Sequence, residues 1–199
     1  MNAIDYRTIH VDELHMNESE TARRLHTAKG FDMEIIGECL EELKKVAVCK
    51  FSAVRCKVEY LDDERLDIGF GEFKSATLIK NLHGCKEVFI FAVTLGHGVD
   101  RLLNGLSRIS PAKYFITDAL ASSLAEAAAD KVDELLRKDI MCRPRFSPGF
   151  GDLKLDVQPK ILEIVNGQRL LGITTNKSHM MSPGKSVTAI MGIKGFDLI

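Results

Sequence analysis

Val88-Phe89-Ile90-Phe91-Ala92-Val93 is an unbroken apolar run, and Thr94-Leu95-Gly96-His97-Gly98 follows it directly. An apolar stretch of this length with no polar alternation predicts a strand at the centre of a sheet, covered on both faces. The glycines behind it predict a tight turn out of the strand into a helix over Val99 to Arg108. The same strand–glycine–helix setting serves phosphate-binding loops. Here, however, Arg101 stands where a dinucleotide fingerprint needs glycine, and no Gly-Lys-Ser/Thr follows. Gly96 and Gly98 are therefore read as turn residues and His97 as a loop cap. A nucleotide-phosphate enzyme built on that loop is a third reading behind the two given below.

Downstream, a long helix is predicted from Pro111 to Lys138. Pro111 suits its first turn, where the missing N–H costs nothing. Leu120, Leu124, Ala128, Val132 and Leu135 form its apolar stripe. Glu126 lies across the wheel from that stripe, near Asp130, Asp133 and Arg137, which makes it a solvated surface acid by periodicity. The alanines at 125, 127, 128 and 129 complicate that reading, since small side chains let a ligand or another element approach the helix closely. Beyond the helix come a loop from Arg143 to Asp152, a helix around Val157 to Val165, and strand candidates at Leu170 to Thr174 and Ser186 to Ile193, with a turn at Pro183-Gly184. Met180-Met181 is read as filling core space.

Upstream, Asn17-Glu18-Ser19-Glu20 offers a cap and acids for a helix running to about Gly30. A second helix is predicted from Asp32 to about Val46. The period then changes to two: Val54, Cys56, Val58 and Tyr60 alternate with Arg55, Lys57 and Glu59, and Asp62-Asp63-Glu64 turns the chain into Leu66, Ile68 and Phe70 as a hairpin. Ser75 to Leu82 is a short helix. One α+β domain spanning 1–199 is the simplest sum.

The bulk numbers agree with that and exclude several classes. The chain has 199 residues, 45% of them hydrophobic, enough for one packed core. Against 27 basic residues stand 28 acidic ones, which argues against a nucleic-acid surface. The opening Met1 to Tyr6 lacks the pattern of a secretory signal, and a cytoplasmic protein without membrane association is expected. The five cysteines, Cys39, Cys49, Cys56, Cys85 and Cys142, are scattered without C-x-x-C pairs, so reduced, packed thiols are expected and no metal site is assigned.

The segment with most chemical content is Arg143-Pro144-Arg145-Phe146-Ser147-Pro148-Gly149-Phe150-Gly151-Asp152. Its prolines stiffen the chain and its glycines permit close approach. An arginine held in such a loop is placed for a planar contact to a carboxylate, exposed glycine N–H groups add donors, and Phe146 or Phe150 offers an aromatic face. A rigid surface connection is the plainer alternative.

Three segments, in order, resemble the activation (reactivation) domain of vitamin B12-dependent methionine synthase. Leu124-Ala125-Glu126-Ala127 is similar to its L-A-E-A helix, Arg145 to Phe150 to its R-x-x-P-G-Y loop, and Ser178 to Pro183 with Ser186-Val187 to its S-x-x-M-x-P…S-V segment. The resemblance covers roughly residues 17 to 193 and is strongest over 86–193. It implies a twisted, mainly antiparallel sheet with flanking helices, and a stand-alone domain that binds S-adenosylmethionine to remethylate cobalamin on a partner protein. That partner would be a methionine synthase or related corrinoid protein, with a flavodoxin-type donor supplying the electron. Because cob(I)alamin is itself the nucleophile, such a domain needs no catalytic residue of its own.

The resemblance further implies that Arg145 holds the ligand carboxylate and Glu126 its α-ammonium, against the periodicity reading of Glu126. Gly149 matches a position whose backbone lies against the ligand, and Ser147 one that offers a backbone contact. Phe150 stands where the long forms carry Tyr, leaving stacking alone. The chain has no D-x-H-x-x-G cobalamin motif, so the corrinoid would arrive on another protein. The alternative is a non-catalytic docking module for a corrinoid protein that no longer binds S-adenosylmethionine.

Overall fold

The computed structural model describes residues 3–25, 33–138 and 140–194. In chain order the first elements are β1 (Ile4–Ile9), α1 (Glu18–Arg24), α2 (Met33–Val46), β2 (Cys49–Lys57), β3 (Glu59–Tyr60), β4 (Arg65–Asp67), β5 (Phe73–Lys74) and α3 (Ala76–Asn81). Then follow β6 (Cys85–Thr94), α4 (His97–Ile109), α5 (Pro111–Arg137), α6 (Gln158–Ile164), α7 (Gly167–Leu171), β7 (Thr174–Thr175), β8 (Met181–Ser182) and β9 (Ser186–Lys194). The predicted end of the first helix near Gly30 and start of the second at Asp32 lie outside the described residues.

The main sheet is antiparallel throughout, in the order β1-β2-β6-β9. β6 is central, as its apolar run predicts. Ile90 lies opposite Val54 on one side and Ile190 on the other, while Phe91 lies opposite Ala53 and Ala189. Because side chains alternate, these two rows feed different cores. Phe51, Ala53, Phe91, Val93, Ala189 and Met191 pack under α2, α4 and α5. Val54, Cys56, Val88, Ile90 and Ile190 pack with the apolar residues of α3, α6 and α7 and with Leu66 and Ile68. Two apolar layers on one sheet explain why β6 shows no polar alternation. The expected α+β architecture, an antiparallel sheet flanked by helices, is what the chain forms.

Several boundaries differ from the sequence expectation for physical reasons. β2 begins at Cys49 rather than Val54, because its first half is covered on both faces and carries no period-two signal. The β2 ladder ends at Lys57, with the Val58 N–H still donating to the Lys86 carbonyl at 2.9 Å, and Tyr60 belongs with Leu66 and Phe73 in a separate three-stranded sheet. β1 was not expected at all. It is an edge strand in which only Ile9 is fully buried, so no buried row marks it in the sequence. The strand candidate Leu170 to Thr174 is corrected: Leu170 and Leu171 end the helix α7, and only Thr174–Thr175 pairs, with Met181–Ser182. Asn166 and Gly172 bracket α7 with positive φ of 55° and 71°, the latter a left-handed helix stop.

All five cysteines are buried and unbridged, as expected of packed thiols. Among the described residues no helix is long and apolar enough to cross a membrane.

The strand-to-helix turn after β6 is a packing device. Gly96 has φ of +80°, and a Cβ on Gly98 would lie 2.2 Å from the carbonyl oxygen of Val46 at the end of α2. His97 does cap a loop: its Nε2 lies 3.2 Å from the Gly172 carbonyl oxygen.

Candidate functional site

The segment that carries Arg145 meets α5 beside β9. Past α5 the chain runs antiparallel beside β9, with Cys142 opposite Ile193 and Phe146 opposite Ile190. Phe146 and Ile190 exchange both backbone hydrogen bonds, at 2.8 Å each, and the Arg143 N–H donates to the Gly192 carbonyl at 2.7 Å. Arg145 is thereby held on a strand-like segment. Its neighbour Phe146 packs into the core under α6, while Arg145 reaches the acids of α5.

The helix grips that segment directly. Arg137, paired with Asp133, donates from Nη1 to the Cys142 carbonyl (2.7 Å) and from Nη2 to the Arg143 carbonyl (2.8 Å). Two turns earlier Arg145 Nη2 donates to Glu126 Oε2 at 3.0 Å, and Arg145 Nη1 donates to Asp130 Oδ1. The Arg145 side chain is 24% exposed, Glu126 41% and Asp130 63%. Burial acts to lower the Arg145 pKa, but the hydrogen bond and charge of Asp130, then the charge of Glu126, outweigh it and the net shift is upward. Glu126 stands on the partly open side of α5, as its periodicity predicts, but it is paired with Arg145 there rather than free in solvent. Between Ile116 and Ala129, α5 is buried except at Asp118, Ser122 and Glu126, which with Asp130 form its one open stripe.

Among the described residues, Ser147, Gly149 and Phe150 make no hydrogen bond to this pair. Ser147 is half-buried, and its carbonyl accepts from the Phe150 N–H at 3.2 Å. Gly149 adopts φ of +95°, and its N–H donates to the Leu153 carbonyl at 2.7 Å, so the expectation that this N–H stands free as a ligand donor is corrected. Phe150 is 64% exposed, with its ring edge-on to Phe146 at a centroid distance of 6.4 Å. An exposed phenyl offers a stacking surface.

The far end of the loop is pinned to α3. Asp152 Oδ1 accepts from Ser75 Oγ at 2.6 Å and from Thr77 Oγ1, and Oδ2 accepts from the Ala76 N–H at 2.8 Å. These hydroxyls, Ser75 first and Thr77 next, hold the Asp152 carboxyl well below the ordinary carboxylate range. A folded-state pKa depressed in this way gives stability that is complete above the unfolded value of about 3.9 and is lost only as pH falls toward the folded value. Asp152→Asn is accordingly expected to cost about 1 kcal/mol, the typical worth of a helix-capping side chain, from neutral pH down to about pH 4. Chemical denaturation at several pH values checks this, and a cost that disappears already at pH 5 contradicts it.

The third segment meets the same stripe of α5 nearer its N-terminus. Met181 packs half-buried into the core beneath α6, whereas Met180 is exposed, so only one of the pair fills core space. Ser186 Oγ donates to Thr94 Oγ1 at 2.8 Å, joining the start of β9 to the end of β6. Lys185 Nζ reaches Asp118 Oδ1 and Ser122 Oγ, both at 2.8 Å, on α5. Two contacts were not foreseen, Asp130 on Arg145 and Lys185 on Asp118. The i, i+4 spacing of Glu126 and Asp130 was the one available signal for the first. Nothing local marks the second, which joins residues 67 apart.

The surface formed here presents a guanidinium and a carboxylate 3.0 Å apart. That donor and acceptor set matches the carboxylate and ammonium of an α-amino acid. No family model and no curated protein sequence matches the chain. Among solved structures, the crystal structure of the MetH reactivation domain bound to AdoHcy is similar over 96% of this chain and 78% of that one, with a TM-score of 0.71 at 15% sequence identity. The chain has the fold of the MetH reactivation domain.

Proposed function

We propose that this protein binds S-adenosylmethionine and serves as an accessory factor for reductive methylation of cobalamin carried by a partner methionine synthase or related corrinoid protein. The observation that carries the reading is the Arg145–Glu126 pair at 3.0 Å, with the loop that carries Arg145 held from α5. In this reading Arg145 receives the ligand carboxylate and Glu126 its α-ammonium. Ser147 and Gly149 bring the loop backbone alongside the ligand, and Phe150 stacks on it. S-adenosylmethionine supplies the methyl group when bound. The chain's own residues hold the ligand in place and leave its reacting end accessible, which is positioning rather than acid–base catalysis. A flavodoxin-type donor supplies the electron to the system. The match to a fold whose solved relative holds AdoHcy supports the ligand class.

Isothermal titration of the protein with S-adenosylmethionine tests the reading. Saturable binding is expected, weakened about tenfold or more in Glu126→Ala because a charge-assisted hydrogen bond is worth roughly 1.5 to 3 kcal/mol. Wild-type binding that Glu126→Ala leaves unchanged removes Glu126 from the site.

One observation favours a second reading. Arg145 is already satisfied by two carboxylates, and Phe150 is left exposed. A docking module that meets a corrinoid protein through this surface without the ligand has those features. Co-elution with the corrinoid protein, combined with no heat of ligand binding, identifies it.

A further inference from the structure

Arg145 divides its guanidinium between two acids of unequal standing. Glu126 and Asp130 are one turn apart on α5, like-charged neighbours that repel unless a cation lies between them. Glu126 holds Nη2 from the more sheltered side, while Asp130, 63% exposed, holds Nη1 from the solvent side. Asp133 adds its charge from the next turn, and Arg137 is committed to Asp133 and to the backbone of the loop. A guanidinium three-quarters buried is costly without an anion on it. The pair with Asp130 supplies that anion at small cost, because an exposed carboxylate regains its hydration when released.

Resting on the ligand reading above, we infer that Asp130 is an internal competitor: it occupies on Arg145 the position a ligand carboxylate takes, and selects for ligands that bring a carboxylate in exchange. On binding, Asp130 turns out to solvent, Glu126 stays on Arg145 and gains the α-ammonium, and Arg145 keeps two anions throughout. A ligand lacking the α-carboxylate offers nothing to replace Asp130 and meets acids already neutralised.

The direction of the effect separates this from general electrostatics. S-adenosylmethionine is a net cation at neutral pH, its sulfonium and ammonium outnumbering its carboxylate. Removing a surface acid near a cation site weakens binding of a cation. Removing a competitor strengthens it. Asp130→Ala, a substitution favourable in a helix interior, is expected to bind S-adenosylmethionine about three- to fivefold more tightly than wild type, the worth of one exposed ion pair. Asp130→Glu keeps the competitor and is expected to match wild type. For decarboxylated S-adenosylmethionine, Asp130→Ala is expected to give no gain. Titration of all three proteins with both ligands decides. Tighter binding confined to the carboxylate-bearing ligand supports the inference, including binding that appears only once Asp130 is removed. Wild-type binding that Asp130→Ala leaves equal or weaker, or a gain shared by both ligands, overturns the competitor role while the ligand site stands. Absence of binding to every variant overturns both.

Discussion

Arg145→Ala is expected to abolish S-adenosylmethionine binding at accessible concentrations, a loss of about thirtyfold or more, while the protein stays folded. The loss follows from what Arg145 does in the proposed site. It offers two parallel N–H groups, and truncating one member of a desolvated charge pair costs roughly 2 to 5 kcal/mol in a complex. The folded state loses far less. Among the described residues the Arg145 side chain is hydrogen-bonded only to Glu126 and Asp130 of α5, both more exposed than itself, and they can return to water. Their mutual repulsion at i, i+4 costs only about 0.2 to 0.5 kcal/mol. The segment around it is held independently by the Phe146–Ile190 backbone pair and by Arg137. Calorimetry and thermal melting on the same sample separate the two effects. Arg145→Lys keeps the charge but not the fork, and is expected to fall between wild type and Arg145→Ala. Arg145→Ala binding within about twofold of wild type ends the assignment of the ligand carboxylate to this residue.

The fold was largely legible because its core elements carry strong periodic or apolar signals. β6 reads as a central strand from Val88 to Val93, and the structure covers both of its faces. α5 begins at Pro111 as its proline predicts, with Ser110 as the cap. What was missed has little side-chain burial to announce it, as in β1, or a stop signal of one residue, as in α7, where Gly172 ends a helix that reads as a strand by apolar content alone. The site was legible in parts. The stiff loop from Arg143 to Asp152 was visible as a platform for an arginine, but its partner was not. The link from Arg145 to Glu126 crosses 19 residues and exists because the loop folds back along β9 to meet α5. A wheel drawn on one stripe placed Glu126 on the open side of α5, where the structure leaves it 41% exposed, but a wheel cannot show the arginine that reaches it from another segment.

The Thr94 to Gly98 turn gives a second large effect, on stability rather than binding. Gly98→Ala is expected to destabilise the protein by roughly 2 to 3 kcal/mol, the upper part of the usual cost of overpacking. A methyl group there would stand 2.2 Å from the Val46 carbonyl oxygen and 3.2 Å from the Val46 carbonyl carbon. Neither contact is with a flexible side chain. Val46 is the last residue of α2, and Val48 is fixed by its N–H donating to the Leu95 carbonyl at 2.9 Å. Relief therefore requires α2 and α4 to part, which opens the core where Leu43 and Val99 are fully buried. For a chain of this size the melting temperature is expected to drop by roughly 5 to 10 °C. Gly105→Ala serves as the control: it lies on the same helix with no atom within 4 Å of an added Cβ, and alanine there is expected to be neutral or stabilising. The comparison also bears on the nucleotide-phosphate reading of the turn. If Gly98 serves packing, Gly98→Ala lowers stability and leaves S-adenosylmethionine affinity of the remaining folded protein unchanged. A phosphate-binding role requires the wild type to bind a nucleotide phosphate, with that binding lost in Gly98→Ala. Equal melting temperatures for Gly98→Ala and wild type would contradict the packing account.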